Sequence, residues 1–280
     1  MSLIKRKKQI SKDFLINQND MNMAQKVHQE LLNVDIPLIP ELKIAGFSRP
    51  ASKIGGDFYN FIYDKHESLE QIEEKKGIVE YGSKNNSTLT VVIGDVAGHG
   101  IASALVMALC SGLIRKNISQ NSSVSNTISK TNNDLFKSIT NTEISYVTAL
   151  MIKIDIINNL LMFTNAGHCP ILVVRANKIS YFSSNDIVLG LYENEVFKDN
   201  EISLLNGDRI ILFTDGITDS RNSKRQFLGL DSFEKEILNT MHLTPKKALE
   251  NIFESIKNFE ENTEKHDDQT LIIIDFKCDA

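Results

Sequence analysis

The chain has 280 residues, 41% of them hydrophobic and 24% charged, with a formal net charge of -5; this balance suits a globular protein with a full core and excludes wholesale disorder. The acidic excess gives no sign of a nucleic-acid surface, and the one basic cluster, Lys5-Arg6-Lys7-Lys8, is short, terminal and read as solvated. Cys110, Cys169 and Cys278 show neither CxxC nor metal-type spacing, so they read as reduced thiols of a cytoplasmic protein, and no apolar stretch approaches membrane-spanning length.

Residues 1–20 are polar, lack a signal-peptide core and read as an N-terminal extension. Met1-Ser2-Leu3 is compatible with a cloning remnant, which would place a native upstream domain outside this sequence. Met23, Ala24, Val27, Leu31 and Leu32 recur at helical spacing, so 21–36 is expected to be an amphipathic linker or regulatory helix, stopped by Pro37 and Pro40. Leu42–Phe47 alternates like a strand. After a loop, Gly55-Gly56 delivers Asp57 and a strand-like run to Tyr63. Asp64–Ser87 is charged and polar, with a helical piece expected around Leu69–Lys75, and reads as an insertion. The apolar run Leu89–Ile93 then enters Gly94-Asp95-Val96-Ala97-Gly98-His99-Gly100.

Two helices are predicted over Ile101–Lys116 and Val124–Ile139. Strand signals follow at Val147–Asp155, Leu160–Thr164, Pro170–Arg175, Lys178–Phe182 and Arg209–Phe213. The chain closes with helices over Leu230–Asn239 and Pro245–Phe259 and a last strand, Thr270–Phe276. Consecutive strands joined by short turns point to antiparallel sheets, with helices laid over them in pairs. No repeat or strong linker divides 37–280, which reads as one domain.

Aspartates stand beside strand ends at four places: Asp57, Asp95, Asp215, and the Asp267-Asp268 pair. A carboxylate in such a place is costly unless it is paired or bound to a cation. Asp95 and Asp215 end their strands while Asp267 begins one, so antiparallel pairing can gather them on one edge. Each Asp-Gly or Gly-Asp taken alone is an ordinary turn; four together favour a cation cluster, and an all-oxygen set suits Mg²⁺ or Mn²⁺. His28, His66, His242 and His266 read as surface residues. His99 and His168, each following a glycine in a loop, fit a phosphate contact or an acid/base as well as a loop tie. The tie is favoured for His168, in Asn165-Ala166-Gly167-His168; for His99 neither is.

In this order, GGDFYNF, IGDVAGHGIASAL, TNAGHCPILVV, GDRIILFTDGITDSRN and DDQTLIIIDF resemble the SpoIIE/RsbU-type serine phosphatases, bacterial members of the metal-dependent, type 2C-like superfamily. The resemblance runs from about Met21 to Phe276. It implies an α+β fold, a four-layer αββα sandwich of two antiparallel sheets flanked by helices, with two divalent cations, Mn²⁺ or Mg²⁺, at one edge. It also implies that Asp95 bridges both ions, that the Val96 carbonyl adds a ligand, that Asp215 and Asp267 hold one ion, and that Asp57 acts directly or through water. Asp219, one helical turn beyond Asp215, follows as an outer-shell or extra-ion carboxylate, and Asp268, His99, His168 and Asn165 are further candidates for the site. The family commonly has Asp where this chain has Asn60, and no general-acid role transfers to His99.

The implied activity is hydrolysis of phosphoserine or phosphothreonine on an anti-sigma-factor-antagonist (STAS-type) regulator. Control would come from an activating partner or from a homodimer through the Asn22–Asn33 helix, and neither nucleic acid nor membrane is an expected partner. The insertion, lying between two cation-bearing motifs, is expected to overhang the site and to contribute to substrate choice. The competing reading is a catalytically inactive relative that binds a phosphoprotein, although such a module would not need the full carboxylate set. A nucleotide cyclase fails at Phe58-Tyr59, and a P-loop fails for want of a Gly-Lys-Ser/Thr ending.

Overall fold

A computed structural model of the chain describes residues 3–75, 78–98, 100–118, 123–140, 146–184, 186–261, 263 and 265–277, with the side chains of 3–17 and 65–86 outside that description. His99, Cys278 and the Met1-Ser2 start therefore lie outside the described residues, as does the side chain of His66.

Helix α1 (Leu3–Leu32) leads into strands β1 (Leu42–Arg49), β2 (Phe58–Lys75) and β3 (Ile78–Val96). Helices α2 (Ile101–Asn117) and α3 (Val124–Ile139) come next, followed by β4 (Val147–Asp155), β5 (Leu160–Ala166), β6 (Ile171–Arg175), β7 (Lys178–Phe182), β8 (Asn200–Ser203) and β9 (Arg209–Phe213). Helices α4 (Leu230–Asn239) and α5 (Pro245–Glu260) precede the last strand, β10 (Gln269–Phe276).

The strands form two five-stranded sheets, ordered β1-β10-β9-β6-β7 and β2-β3-β4-β5-β8, with every neighbouring pair of strands antiparallel. Strand alternation sorts their side chains into three apolar layers. Between the sheets, Tyr59, Val91, Ile93, Leu150 and Ile152 meet Val173, Ile210, Leu212, Ile272 and Ile274. On the outer face of one sheet, Phe58, Val92 and Met151 pack under Met107, Ile114 and Ile128 of α2 and α3. On the other, Leu172, Ile211, Leu271 and Ile273 pack under Phe233, Ile237, Ile252 and Ile256 of α4 and α5. Burial on both faces explains why β9 and β10 read as continuous apolar runs. The expected αββα sandwich is what forms.

Four readings change. Helix α1 begins at Leu3, well before Asn22; no Gly or Pro interrupts 3–36, so nothing local stops the helix even where apolar periodicity is missing. β8 is an edge strand that the sequence did not announce, since Ile202 is its one apolar residue. The helical piece over Leu69–Lys75 is instead strand, the outer half of a long hairpin paired from Phe58↔Gly94 to Lys75↔Ile78. Cross-strand hydrogen bonding overrides the Leu69/Ile72 spacing there. Finally, that hairpin does not overhang the site. Asp57 and Asp95 lie where its strands begin and end, and the ribbon runs on past Thr88↔Asp155, beyond the last β3–β4 pair at the opposite end of the sandwich.

Among the described residues no helix is long and apolar enough to cross a membrane. Cys110 is buried and Cys169 partly buried, and both are free thiols.

Candidate active site

The antiparallel order brings the aspartates to one end, from both sheets. Asp57 precedes β2 and Asp95 lies near the end of β3, in one sheet; Asp215 follows β9 and Asp267-Asp268 precede β10, in the other. Asp57 is 2% exposed, and its Oδ2 accepts hydrogen bonds from the hydroxyls of Thr214 (2.8 Å) and Thr270 (2.6 Å) of the facing sheet.

Three glycines permit this convergence. A Cβ on Gly56 would sit 3.0 Å from the Val96 carbonyl oxygen and 3.4 Å from Asp95 Oδ1. One on Gly55 would strike Asp268 Oδ2 at 2.0 Å, and one on Gly216 the Asp268 carbonyl at 1.9 Å. Only a bare Cα lets these backbones approach.

The carboxylates repel one another. Burial first, then Asp95 and Asp268, holds Asp57 well above the usual carboxylate range. Asp95 is pushed up to about 8 by burial and by Asp215, Asp267 and Asp268, relieved in part by a hydrogen bond with Asp57. Asp215 is raised by burial and by Asp219, and Asp267 by burial, Asp215, Asp268 and Asp219. For none of these four is a basic side chain among the main influences. An uncompensated all-oxygen cluster with the Val96 backbone carbonyl beside it fits hard divalent cations. Among the described residues, no three His, Cys, Asp or Glu side chains converge closely enough to chelate an ion as they stand.

Of the remaining candidates, Asp268 is a structural latch: its Oδ1 accepts from the Ala51 amide (2.7 Å) and its Oδ2 from the Gly56 amide (2.6 Å). Asp219 flanks the cluster, its amide bonded to the Asp215 carbonyl at 2.8 Å. Asn165 is fully buried and ties its own loop, accepting from the His168 amide (2.7 Å) and donating to the carbonyls of His168 and Cys169 (3.1 Å each). His168 Nδ1 meets the Thr148 hydroxyl at 2.9 Å, its Nε2 is buried without a partner, and burial lowers it to about 4 against a small opposing contact with the Phe213 backbone. It is a neutral ring set behind Asp95, whose carbonyl Thr148 also reaches at 3.4 Å. Asn60 is turned away, accepting from Arg115 and donating to Ser111 of α2 (2.8 Å each).

Sequence reasoning passed over four participants. Thr214 and Thr270 were signalled by their places next to Asp215 and two residues after Asp268. The Cys169 thiol is raised by burial and by Asp215, Asp57, Asp95 and Asp219, which places it within their electrostatic reach. The fourth is a correction: His28 is no surface residue but 4% exposed, its Nε2 3.0 Å from the Gly55 carbonyl oxygen and 3.1 Å from the Gly55 amide. Its partner is a loop 27 positions away, which no local pattern reveals. His242 and His266 are exposed as expected.

Comparison with known proteins gives a consistent result. The SpoIIE family model (Stage II sporulation protein E) matches residues 85–277. The phosphoserine phosphatase RsbU of Bacillus subtilis (strain 168) is 24% identical over 258 residues, covering 91% of this chain and 70% of RsbU. The phosphoserine phosphatase RsbP of the same organism is 26% identical over 267 residues, covering 94% of this chain but only 59% of RsbP. Among solved structures, the SiaA-PP2C domain of Pseudomonas aeruginosa superposes with a TM-score of 0.66 at 19% identity, over 100% of both chains.

Proposed function

The chain belongs to the SpoIIE family of protein phosphatases, and on that premise we propose that it hydrolyses phosphoserine or phosphothreonine on a partner protein at the aspartate cluster. The observation that carries this reading is the gathering of Asp57, Asp95, Asp215 and Asp267 from both sheets with no basic side chain among their main influences. Phosphatases of this type are metal-dependent, and the donor chemistry fits two Mn²⁺ or Mg²⁺ ions.

In this reading Asp95 and the Val96 carbonyl would help to hold the ions, Asp215 and Asp267 would hold one of them, Asp57 would act directly or through water, and Asp219 would lie outside. Bound there, such ions supply Lewis-acid activation of water and neutralise phosphoryl oxygens, which is most of what phosphoryl transfer requires. The protein's own part is to hold the carboxylates in place. Thr214 and Thr270 fix one oxygen of Asp57, Gly56 keeps the approach to Asp95 and Val96 clear, and the Asp268 latch sets the loop.

For the substrate we propose a phosphorylated STAS-type regulator, in keeping with the family resemblance. Control through α1, by an activating partner or a homodimer, is supported by Met23, Val27 and Leu31, which stand one turn apart and are 54%, 61% and 48% exposed. The test is hydrolysis of p-nitrophenyl phosphate and of a phosphoserine peptide, with and without Mn²⁺, by wild type and Asp215→Asn. Mn²⁺-dependent turnover lost in the variant is expected. Wild type no faster than the variant would leave only a phosphoprotein-binding role.

A further inference from the structure

We propose that His28 is a positioning residue, the point through which α1 holds the Gly55-Gly56-Asp57 loop in the geometry that cation binding needs. Among the described side chains of α1, Gln18–Leu32, His28 alone is buried. The rest of the helix's seat is less tightly closed. Leu32 packs against the apolar layer under α2 and α3, and Lys53 reaches the Asn22 side chain at 2.9 Å in an exposed contact. A cleft of about 640 Å³ separates α1 from β1 and its loop, lined by polar Gln25, Arg49 and Lys53 and by apolar Leu32, Phe47 and Tyr59. Apolar contact at Leu32 helps to seat the helix, and one imidazole makes its buried polar connection to the loop.

That connection falls at a sensitive place. His28 Nε2 faces both backbone groups of Gly55. From the other side Asp268 takes the amides of Ala51 and Gly56, with that of Asp57 at 3.4 Å. The loop is thus clamped between a helix side chain and a carboxylate of the facing sheet. Its next two residues are Gly56, which lies against the Val96 carbonyl and Asp95, and Asp57 itself. A neutral Nε2 serves only one Gly55 group at a time, and Nδ1 is buried without a partner. A ring whose polar groups are not all met is easier to unseat than a saturated one, so displacement of α1 would release Gly55 while leaving the sandwich core intact. Groups that orient ligands from outside typically change metal affinity 10–100-fold when removed.

The proposal rests on the phosphatase reading for the cation but not for the clamp, and the experiment separates the two. Full-length wild type, His28→Ala and His28→Gln are compared by Mn²⁺ titration calorimetry and by hydrogen exchange of the 54–57 amides. A Gln amide can offer both a donor and an acceptor to Gly55. His28→Ala is expected to bind Mn²⁺ about tenfold more weakly, to exchange faster at 54–57 and to show an unchanged melting transition of the sheets. His28→Gln should recover most of the binding and protection. Unchanged exchange at 54–57 in His28→Ala overturns the proposal, as does equal loss in both variants. Wild type that binds no Mn²⁺ would sink the cation reading, and exchange alone would then decide the clamp.

Discussion

The two ends of the sandwich treat their strand-end aspartates in opposite ways. At the end away from the cluster Asp208 and Asp275 are each answered by a guanidinium. Asp208, 1% exposed, accepts from Arg175 Nε at 2.8 Å and from the Leu205 amide at 2.8 Å. Asp275 accepts from Arg209 Nε at 2.6 Å, and the same guanidinium donates to the carbonyls of Thr240 and Leu243. Arg209 and Asp275 are direct register partners on β9 and β10. A few residues further along those same two strands stand Asp215 and Asp267-Asp268, where partial burial and then neighbouring aspartates raise Asp215 and Asp267 with no basic side chain among their main influences. The fold neutralises Asp208 and Asp275 with side chains and does not do so for Asp215 and Asp267; the arginine at their end of the sandwich, Arg49, is held by Glu260 and Gln269.

The largest effect should come from the uncompensated end: Asp95→Asn is expected to lower Mn²⁺-dependent kcat/KM on p-nitrophenyl phosphate by on the order of a thousandfold, with the fold kept. Turnover within tenfold of wild type would break the contrast. At the compensated end, Arg209→Met strands Asp275 and should cost about 3–5 kcal/mol in urea unfolding, leaving Mn²⁺ affinity unchanged. A third effect is one of pH. Asp57 and Asp95 are raised in the folded state above the ~4 of an unfolded aspartate, Asp95 to about 8, so the folded form holds extra protons between those values. Stability present at low pH is therefore lost as pH rises toward 8. His168, lowered to about 4, gives the opposite slope below its ordinary value of about 6.5. Melts in EDTA should accordingly fall by several degrees between about pH 6.5 and 8, and saturating Mn²⁺ should flatten them. Smallest of all, replacing 65–86 by a two-residue turn should change turnover of the small ester less than about twofold, because that ribbon leaves the far end. A larger change would mean that the two ends are not independent.

The same division explains what was legible in the sequence. The aspartates stood out because each interrupts or borders an apolar run, and strand direction alone predicted that they would gather. Strands buried on both faces, such as Leu271–Ile274, and helices with an apolar stripe, such as Pro245–Glu260, needed only their periods. What stayed hidden depends on distant partners. The 64–87 ribbon is built from backbone pairing with few apolar residues to mark it, and β8 pairs at a sheet edge. Asp268 resembled its neighbour Asp267 until the Ala51 and Gly56 amides were seen to occupy it. His28 looked like any polar residue on a helix until Gly55 met it.

That Asp57 and Asp95 come from one sheet, and Asp215 and Asp267 from the other, has a mechanical consequence. In the chain as it stands, Asp57 with Thr214 and Thr270 makes a polar stitch across the seam at this end. Cations held by carboxylates of both layers would act as rivets through it. Sliding one sheet past the other by even part of a residue would pull Asp95 away from Asp215 long before the apolar layers separated. Such a site reports shear between the layers, and filling it would resist that shear by the binding free energy of the ions.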